Sequence, residues 1–243
     1  MKVLGIIPAR YASSRFPGKP LIDLKGKSMI QRVYEGASGS KFIDQLVVAT
    51  DDQRIVEHVQ NFGGMALLTA DHHQSGTERC AEVLATFPHY DLVLNIQGDE
   101  PLVDPRQLDT LLAAFDNPSV KIATLVSPTV SAADLSNPNR IKVVANAKQE
   151  ALYFSRSAIP NQHHASDEQL KNHSFLRHIG LYAYRTETLL ELVKLDPTSL
   201  EKIESLEQLR WLYYGYQLKL VETHIETPNI DVPDDVAEVL RFL

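Results

Sequence analysis

The feature that most constrains the fold is an alternation in the first hundred residues. Short apolar runs at residues 3–7, 45–50, 65–68 and 92–96 are separated by stretches of helical period at 28–37, 53–62 and 76–86. In the middle stretch Ile55, Val56, Val59 and Phe62 fall on one helical stripe. A strand that is apolar throughout must be covered on both faces, and the helices between the runs are the elements able to cover it. The pattern therefore predicts an α/β chain with a mainly parallel central sheet flanked by helices.

After about residue 120 the pattern becomes strand-rich. Residues 122–126 and 141–145 read as strands, and 176–184 as a strand with alternating faces. The leucine-rich stretch 200–214, with Leu200, Ile203, Leu206, Leu209 and Leu212 spaced by three, reads as one helix ended by Gly215. Residues 160–173 are polar and His-rich and read as a loop. No repeat or linker interrupts the chain, so residues 1–243 are expected to form a single domain.

Charge and cysteine usage exclude several functions. Lys and Arg total 24 against 31 Asp and Glu, a net charge of −7. A chain without a basic surplus is poorly suited to nucleic acid. The single cysteine, Cys80, excludes an internal disulfide and a multi-cysteine metal cluster. The opening apolar run is too short for a signal peptide, and nothing approaches the roughly 20 apolar residues of a membrane span. A cytoplasmic protein with no membrane insertion is expected.

In an open parallel sheet, ligands bind beyond the carboxyl ends of the strands. The segment after the first run, residues 8–20, carries Arg10, Arg15 and Lys19 and no acidic residue. Its small residues, Ala12, Ser13, Ser14 and Gly18, let backbone N–H groups approach a ligand, a combination suited to a polyphosphate. The second run ends in Thr50-Asp51-Asp52, whose carboxylates suit a helix N-cap. The fourth ends in Gln97-Gly98-Asp99-Glu100-Pro101, where Asp99 is placed to hold a hard cation such as Mg²⁺. Other motifs fail. Gly26-Lys27-Ser28 lacks the leading glycine of a P-loop because position 21 is Leu, and there is no G-x-G-x-x-G, G-x-S-x-G or Asp-x-Asp element. The pairs His72-His73 and His163-His164 are adjacent in sequence and poorly placed to share one metal.

The blocks IIPARYASSRFPGKPL, VVATDD, HHQSGTERCAEV, NIQGDEPL, ALYFSRSAIP, LRHIGLYAYR and SLEKIESLEQLRWL occur in that order over nearly the whole chain. Together they resemble the 3-deoxy-manno-octulosonate cytidylyltransferases, also called CMP-KDO synthetases. The resemblance implies a Rossmann-like nucleotidyltransferase fold with an added strand-rich dimerisation and sugar-binding region. It implies a homodimer that takes CTP and the eight-carbon acid sugar KDO, with Mg²⁺, to CMP-KDO and pyrophosphate for the lipopolysaccharide inner core. The close variant, 8-amino-KDO as the sugar, stays open. So does a second class, a non-catalytic nucleotide-sugar binding protein on the same fold.

The resemblance also implies roles. Arg10, Lys19 and Asp99 would be catalytic. Ala9, Ser13, Arg15, Ser75, Gly76, Arg79 and Gln97 would join Arg10 and Lys19 in holding the nucleotide. Gln97, Arg156, His178, Tyr182, Glu207 and Gln208 would hold the sugar, with Arg156 on its carboxylate. Asp99 and Asp231 would hold Mg²⁺. At 229–235 the family has V-D-T-P-E-D where this chain reads Ile230-Asp231-Val232-Pro233-Asp234-Asp235, so the hydroxyl after the metal-binding aspartate is lost. From the residues alone, period two puts His178, Gly180 and Tyr182 on one face and Arg177, Ile179 and Leu181 on the other. A His and a Tyr so placed also fit a core satisfied by protein partners. No residue stands out as a general base.

Overall fold

The computed structural model describes residues 1–12 and 16–243. Its elements, in chain order, begin with β1 (Val3–Ala9), β2 (Asp23–Leu24), β3 (Lys27–Ser28), α1 (Met29–Ala37), β4 (Gln45–Thr50), α2 (Gln53–Asn61), β5 (Ala66–Leu68), α3 (Gly76–Thr86) and β6 (Leu92–Asn95). There follow α4 (Pro105–Ala113), β7 (Ile122–Ser127), α5 (Ala132–Ser136), β8 (Lys142–Ala145), β9 (Ala151–Ser155), α6 (Asp167–Asn172) and β10 (Leu176–Arg185). The chain ends with α7 (Thr186–Leu192), α8 (Ser199–Glu204), α9 (Gln208–Tyr213), β11 (Leu218–Glu222) and α10 (Asp235–Val239).

Nine strands form one sheet, in the order β11-β7-β10-β6-β1-β4-β5, with β8 beside β10 and β9 beside β8. β1 is parallel to β4 and β6, β4 to β5, and β7 to β11, while β10 is antiparallel to both β6 and β7. Six strands of the main path thus run one way and β10 alone runs against them, which is the mainly parallel sheet the apolar runs predict. The reversal has a consequence for function. The start of β10 lies at the same edge as the carboxyl ends of β1, β6 and β7.

Side chains of β1 divide strictly by period two. Val3, Ile7 and Ala9 pack with Ile30 and Val33 of α1, Ile55 of α2 and Leu108 of α4. Leu4 and Ile6 pack on the other face with Cys80 and Val83 of α3, Leu189 of α7 and Trp211 of α9. Both faces are dry, which is why the run contains no polar residue. Cys80 is a buried free thiol, and burial pushes its ionisation well up, so it serves as a small apolar core residue.

Helix starts follow local chemistry. Ser28, Asp52, Ser75 and Asp104 accept from backbone N–H groups at the starts of α1, α2, α3 and α4. Gly26 sits at φ 82 in the turn between β2 and β3, so the Gly-Lys-Ser triplet is a hairpin turn followed by an N-cap.

Two expectations fail for identifiable reasons. The stretch 200–214 is two helices, broken at Ser205, which adopts a left-handed conformation (φ 51). Apolar residues spaced strictly by three drift by about 60° per step around a helix, so no straight helix could bury all five. Ile203 is accordingly 81% exposed, while Leu206 and Leu209 are buried. The stretch 160–173 contains α6, opened by a capping box in which Ser166 and Gln169 exchange hydrogen bonds. The strands β9 and β11 and the helices α4 and α7 escape the sequence reading. Asp104-Pro105, an N-cap followed by proline, was the available signal for α4.

Candidate active site

Two cavities open at the carboxyl edge of the sheet and share Gln97 and Asp99 in their walls. The first, about 430 Å³, is walled by the end of β1, the loop to Lys19 and the start of α3. The second, about 390 Å³, lies between the start of β10, the α8–α9 turn and the segment before α10.

Ala9, Arg10, Lys19, Ser75, Gly76 and Arg79 all line the first cavity. Ser13 and Arg15 lie outside the described residues. The Gly18 N–H donates to the Tyr11 carbonyl at 2.9 Å, and the Arg54 guanidinium stacks on the Tyr11 ring. Gly18 has φ 74, a conformation that suits glycine and turns the chain so that Lys19 points inward. Lys19 Nζ donates to Asp99 Oδ2 at 3.0 Å and to the Ile230 carbonyl at 2.7 Å. Arg79 is almost fully buried and pairs with Asp51 at 3.0 Å and with Thr69. Its orientation is therefore fixed before any ligand arrives. Asp51 serves this pair, while Asp52 is the helix N-cap.

Asp99 follows β6, and its neighbour Gly98 presses against β1. A Cβ on Gly98 would meet the Pro8 carbonyl oxygen at 2.6 Å. Asp231 is brought to the same place because the Ile230 N–H donates to the Asp99 carbonyl at 3.0 Å. Both carboxylates line the second cavity. Beside them Glu100 is buried, and burial together with the adjacent Asp99 charge pushes its carboxyl up to about 8. At neutral pH it is protonated and adds no charge to the pair.

The Asp231 loop is held by Asp235, whose Oδ2 accepts from the N–H of Asp231 at 2.7 Å and of Val232 at 2.9 Å. The Val232 side chain is exposed. Asp235→Ala is expected to loosen the Asp231 loop, raising the divalent-cation concentration at half-maximal rate by about tenfold. Titrating the rate with Mg²⁺ checks this, and an unchanged midpoint would refute it.

Gln97, His178, Tyr182, Glu207 and Gln208 line the second cavity. Gln97 Nε2 donates to the Gly180 carbonyl at 2.8 Å. A Cβ on Gly180 would meet Gln97 at an ordinary 3.4 Å. Glu207 Oε2 accepts from the Thr77 hydroxyl at 2.7 Å, tying the α8–α9 turn to α3, and burial raises its carboxyl.

Arg156 departs from its expected place. It is absent from the wall of either cavity among the described residues. Its guanidinium donates to the carbonyls of Glu204 (2.6 Å), Pro138 (3.1 Å) and Ser205 (3.3 Å). Glu204 and Ser205 belong to the end of α8 and the turn beyond it, and Pro138 to the segment between α5 and β8, so Arg156 braces the wall from behind. The arginines lining the cavity are Arg140, whose Nε lies 3.7 Å from Asp134, and Arg177, which is paired with Glu226. Period two sets Arg177 on the face away from His178, yet at a strand's first residues both faces reach the sheet edge.

A family model described as cytidylyltransferase matches residues 4–223. The chain is 52% identical over 248 residues to the 3-deoxy-manno-octulosonate cytidylyltransferase of Bacteroides thetaiotaomicron, covering 100% of this chain and 98% of that one. It is 43% identical to that of Fusobacterium nucleatum, covering 100% and 97%. Among solved structures, CMP:2-keto-3-deoxy-manno-octonic acid synthetase complexed with CTP superposes with a TM-score of 0.93 at 42% identity, covering 100% and 98%. A 4-diphosphocytidyl-2C-methyl-D-erythritol synthase from Anaerococcus prevotii, with a TM-score of 0.65 at 12% identity, shares the fold alone. Full-length identity of this order, on a sheet edge that gathers the same motif residues, means that the chain belongs to the 3-deoxy-manno-octulosonate cytidylyltransferase family.

Proposed function

We propose that this enzyme joins CTP to KDO, the anomeric hydroxyl attacking the α-phosphorus while pyrophosphate leaves and CMP-KDO forms. The observation that carries this reading is the meeting of two cavities at Asp99 and Gln97, one lined by Arg10, Lys19 and Arg79 and the other by His178, Tyr182, Glu207 and Gln208. The first receives the nucleotide. Lys19 and Arg10 lie against its triphosphate, and the N–H groups opening α3 with Arg79 face its base. The second receives the acid sugar, and the shared wall brings the two reactants together, so positioning does much of the work. Lys19 offsets charge on the departing pyrophosphate.

Asp99 and Asp231 are the residues that would hold Mg²⁺. Their oxygens are hard donors, and the Lys19 ammonium already bonded to Asp99 and the Ile230 carbonyl marks the spot as one that favours a cation. When bound, the ion polarises the phosphorus and offsets leaving-group charge. Incubation with CTP, KDO and Mg²⁺ should release pyrophosphate. CTP binding without release would overturn the reading in favour of a non-catalytic binder. Competition between KDO and 8-amino-KDO, compared as kcat/KM, decides which sugar is preferred. No helix among the described residues is long and apolar enough to cross a membrane, and the only cysteine is a buried free thiol. Both facts suit a cytoplasmic enzyme supplying lipopolysaccharide synthesis, with no nucleic-acid partner.

The sugar carboxylate is met by Arg140, with Arg156 supporting the turn. Arg140→Ala should raise the KM for the sugar by about tenfold with little change in Tm. Arg156→Ala should raise it too and lower Tm by several degrees, because three carbonyls lose their donor. Steady-state kinetics with each substrate varied, paired with thermal melts, separate the two. A melt unchanged by Arg156→Ala would refute the bracing role.

The protein is read as a homodimer. Leu152 on β9, Ile203 on α8, and Tyr213 and Tyr214 at the end of α9 are exposed on adjoining elements, an apolar area that a second copy would cover. Light scattering at micromolar concentration should give twice the chain mass of 27.2 kDa. A monomer mass would contradict it.

A further inference from the structure

His178 stands at the start of β10 with its ring edge-on to Phe154 and tilted against Tyr182, at centroid separations of 5.1 and 5.3 Å. Its Nε2 lies 2.9 Å from the hydroxyl of Thr124, a fully buried residue of β7. The same hydroxyl lies 2.8 Å from the Leu181 carbonyl and 3.2 Å from the Ile179 carbonyl. These carbonyls converge because the β7–β10 register slips here: Ile179 pairs with Leu125, but Tyr182 pairs with Thr124.

A hydroxyl has one hydrogen, and carbonyl oxygens only accept. We assign the single Thr124 hydrogen to the Leu181 carbonyl, the nearest acceptor at 2.8 Å, which leaves the hydroxyl oxygen only lone pairs for the ring. Nε2 must carry the hydrogen of that bond. Burial, helped by the neighbouring Arg177 charge, pushes the ring down to about 3, so it is neutral and Nδ1 is a bare acceptor. No other hydrogen bond to the ring is present among the described residues, and His178 is part of the second cavity's wall.

We propose that Thr124 is a positioning residue that locks His178 as its Nε2–H tautomer, so that Nδ1 offers the sugar cavity an acceptor selective for a donor group, a hydroxyl or an ammonium. The lock stands on the Thr124 hydrogen bonds and on the burial that keeps the ring neutral. Its use in sugar recognition rests on the reading that the second cavity holds the sugar. A side chain fixed in this way would discriminate against an analogue whose matching position lacks a donor, since Nδ1 would then be buried unpaired.

Long-range ¹H–¹⁵N spectra of the histidine-labelled full chain test the lock, with the His178 signals assigned by their loss in His178→Gln. Wild type and Thr124→Ser should show the Nε2–H form alone, and Thr124→Val should show a mixture or the other tautomer. Thr124→Val should also raise the sugar KM by about tenfold with the CTP KM unmoved, and Thr124→Ser should restore it. An Nδ1–H ring in wild type overturns the proposal without any variant, as does a pure Nε2–H ring in Thr124→Val. A changed tautomer with an unmoved sugar KM would leave the lock in place and overturn the sugar-facing reading beneath it.

Discussion

Asp99→Ala is expected to lower kcat by about 10³-fold or more at saturating CTP, KDO and Mg²⁺. The side chain sits where the two cavities meet, and its removal takes away one of two carboxylates at the proposed ion site. It also releases Lys19, whose ammonium would keep only the Ile230 carbonyl. The fold should survive. The Lys19–Asp99 pair is partly exposed, with the Asp99 side chain at 27%, and such pairs contribute about 1 kcal/mol or less. For a chain of this size that is a Tm shift of about 2–4 °C. A near-normal melt with a large loss of turnover is the signature of a group that acts on the reaction. Turnover within tenfold of wild type at saturating Mg²⁺ would refute a metal role for Asp99. A collapsed melt would mean that the residue holds the fold instead.

How far the sequence foretold this arrangement depends on which physical constraint each residue obeys. β1 and β4 are legible because burial on two faces leaves runs that are almost wholly apolar, and that signal needs no partner to read. The β9 strand is not legible. It is a five-residue edge element with Leu152 turned to solvent, so its pattern obeys neither period cleanly. Asp99 announces itself by position, since a polar residue just past an apolar strand is at the ligand edge of a parallel sheet, and Lys19 by the acid-free cationic segment after β1. Thr124 gives no such sign. It lies inside an apolar strand as an unremarkable β-branched residue, and only the register slip against β10 gives its hydroxyl a task. Asp235 is likewise legible only once the chain folds back, because what it supports are two backbone N–H groups. Arg156 shows the reverse error. Its motif points to the sugar, while its hydrogen bonds in the fold go to carbonyls behind the wall.

Gly98→Ala is expected to cost about 10² in kcat although glycine 98 has no side chain to offer the reaction. The glycine is not required by its backbone angles, since its φ is not among the positive ones. It is required by contact. The added methyl would lie 2.6 Å from the Pro8 carbonyl oxygen, and that oxygen is backbone of β1 with no rotamer to escape into. The upstream residue cannot yield either, because the Ile96 N–H is bonded to the Ile6 carbonyl at 2.9 Å. The loop beyond must therefore move, and the next residue along it is Asp99. Overpacking of this kind costs about 1–3 kcal/mol, so Tm should also fall by several degrees. Gly180→Ala is the matched control at the other cavity, where the new methyl meets Gln97 at 3.4 Å and kcat should stay within a few-fold. If both variants lost activity equally, glycine content at the site would matter in some way other than contact. If Gly98→Ala kept wild-type kcat and Tm, the approach of β1 to the Asp99 turn would not be what sets the carboxylate in place.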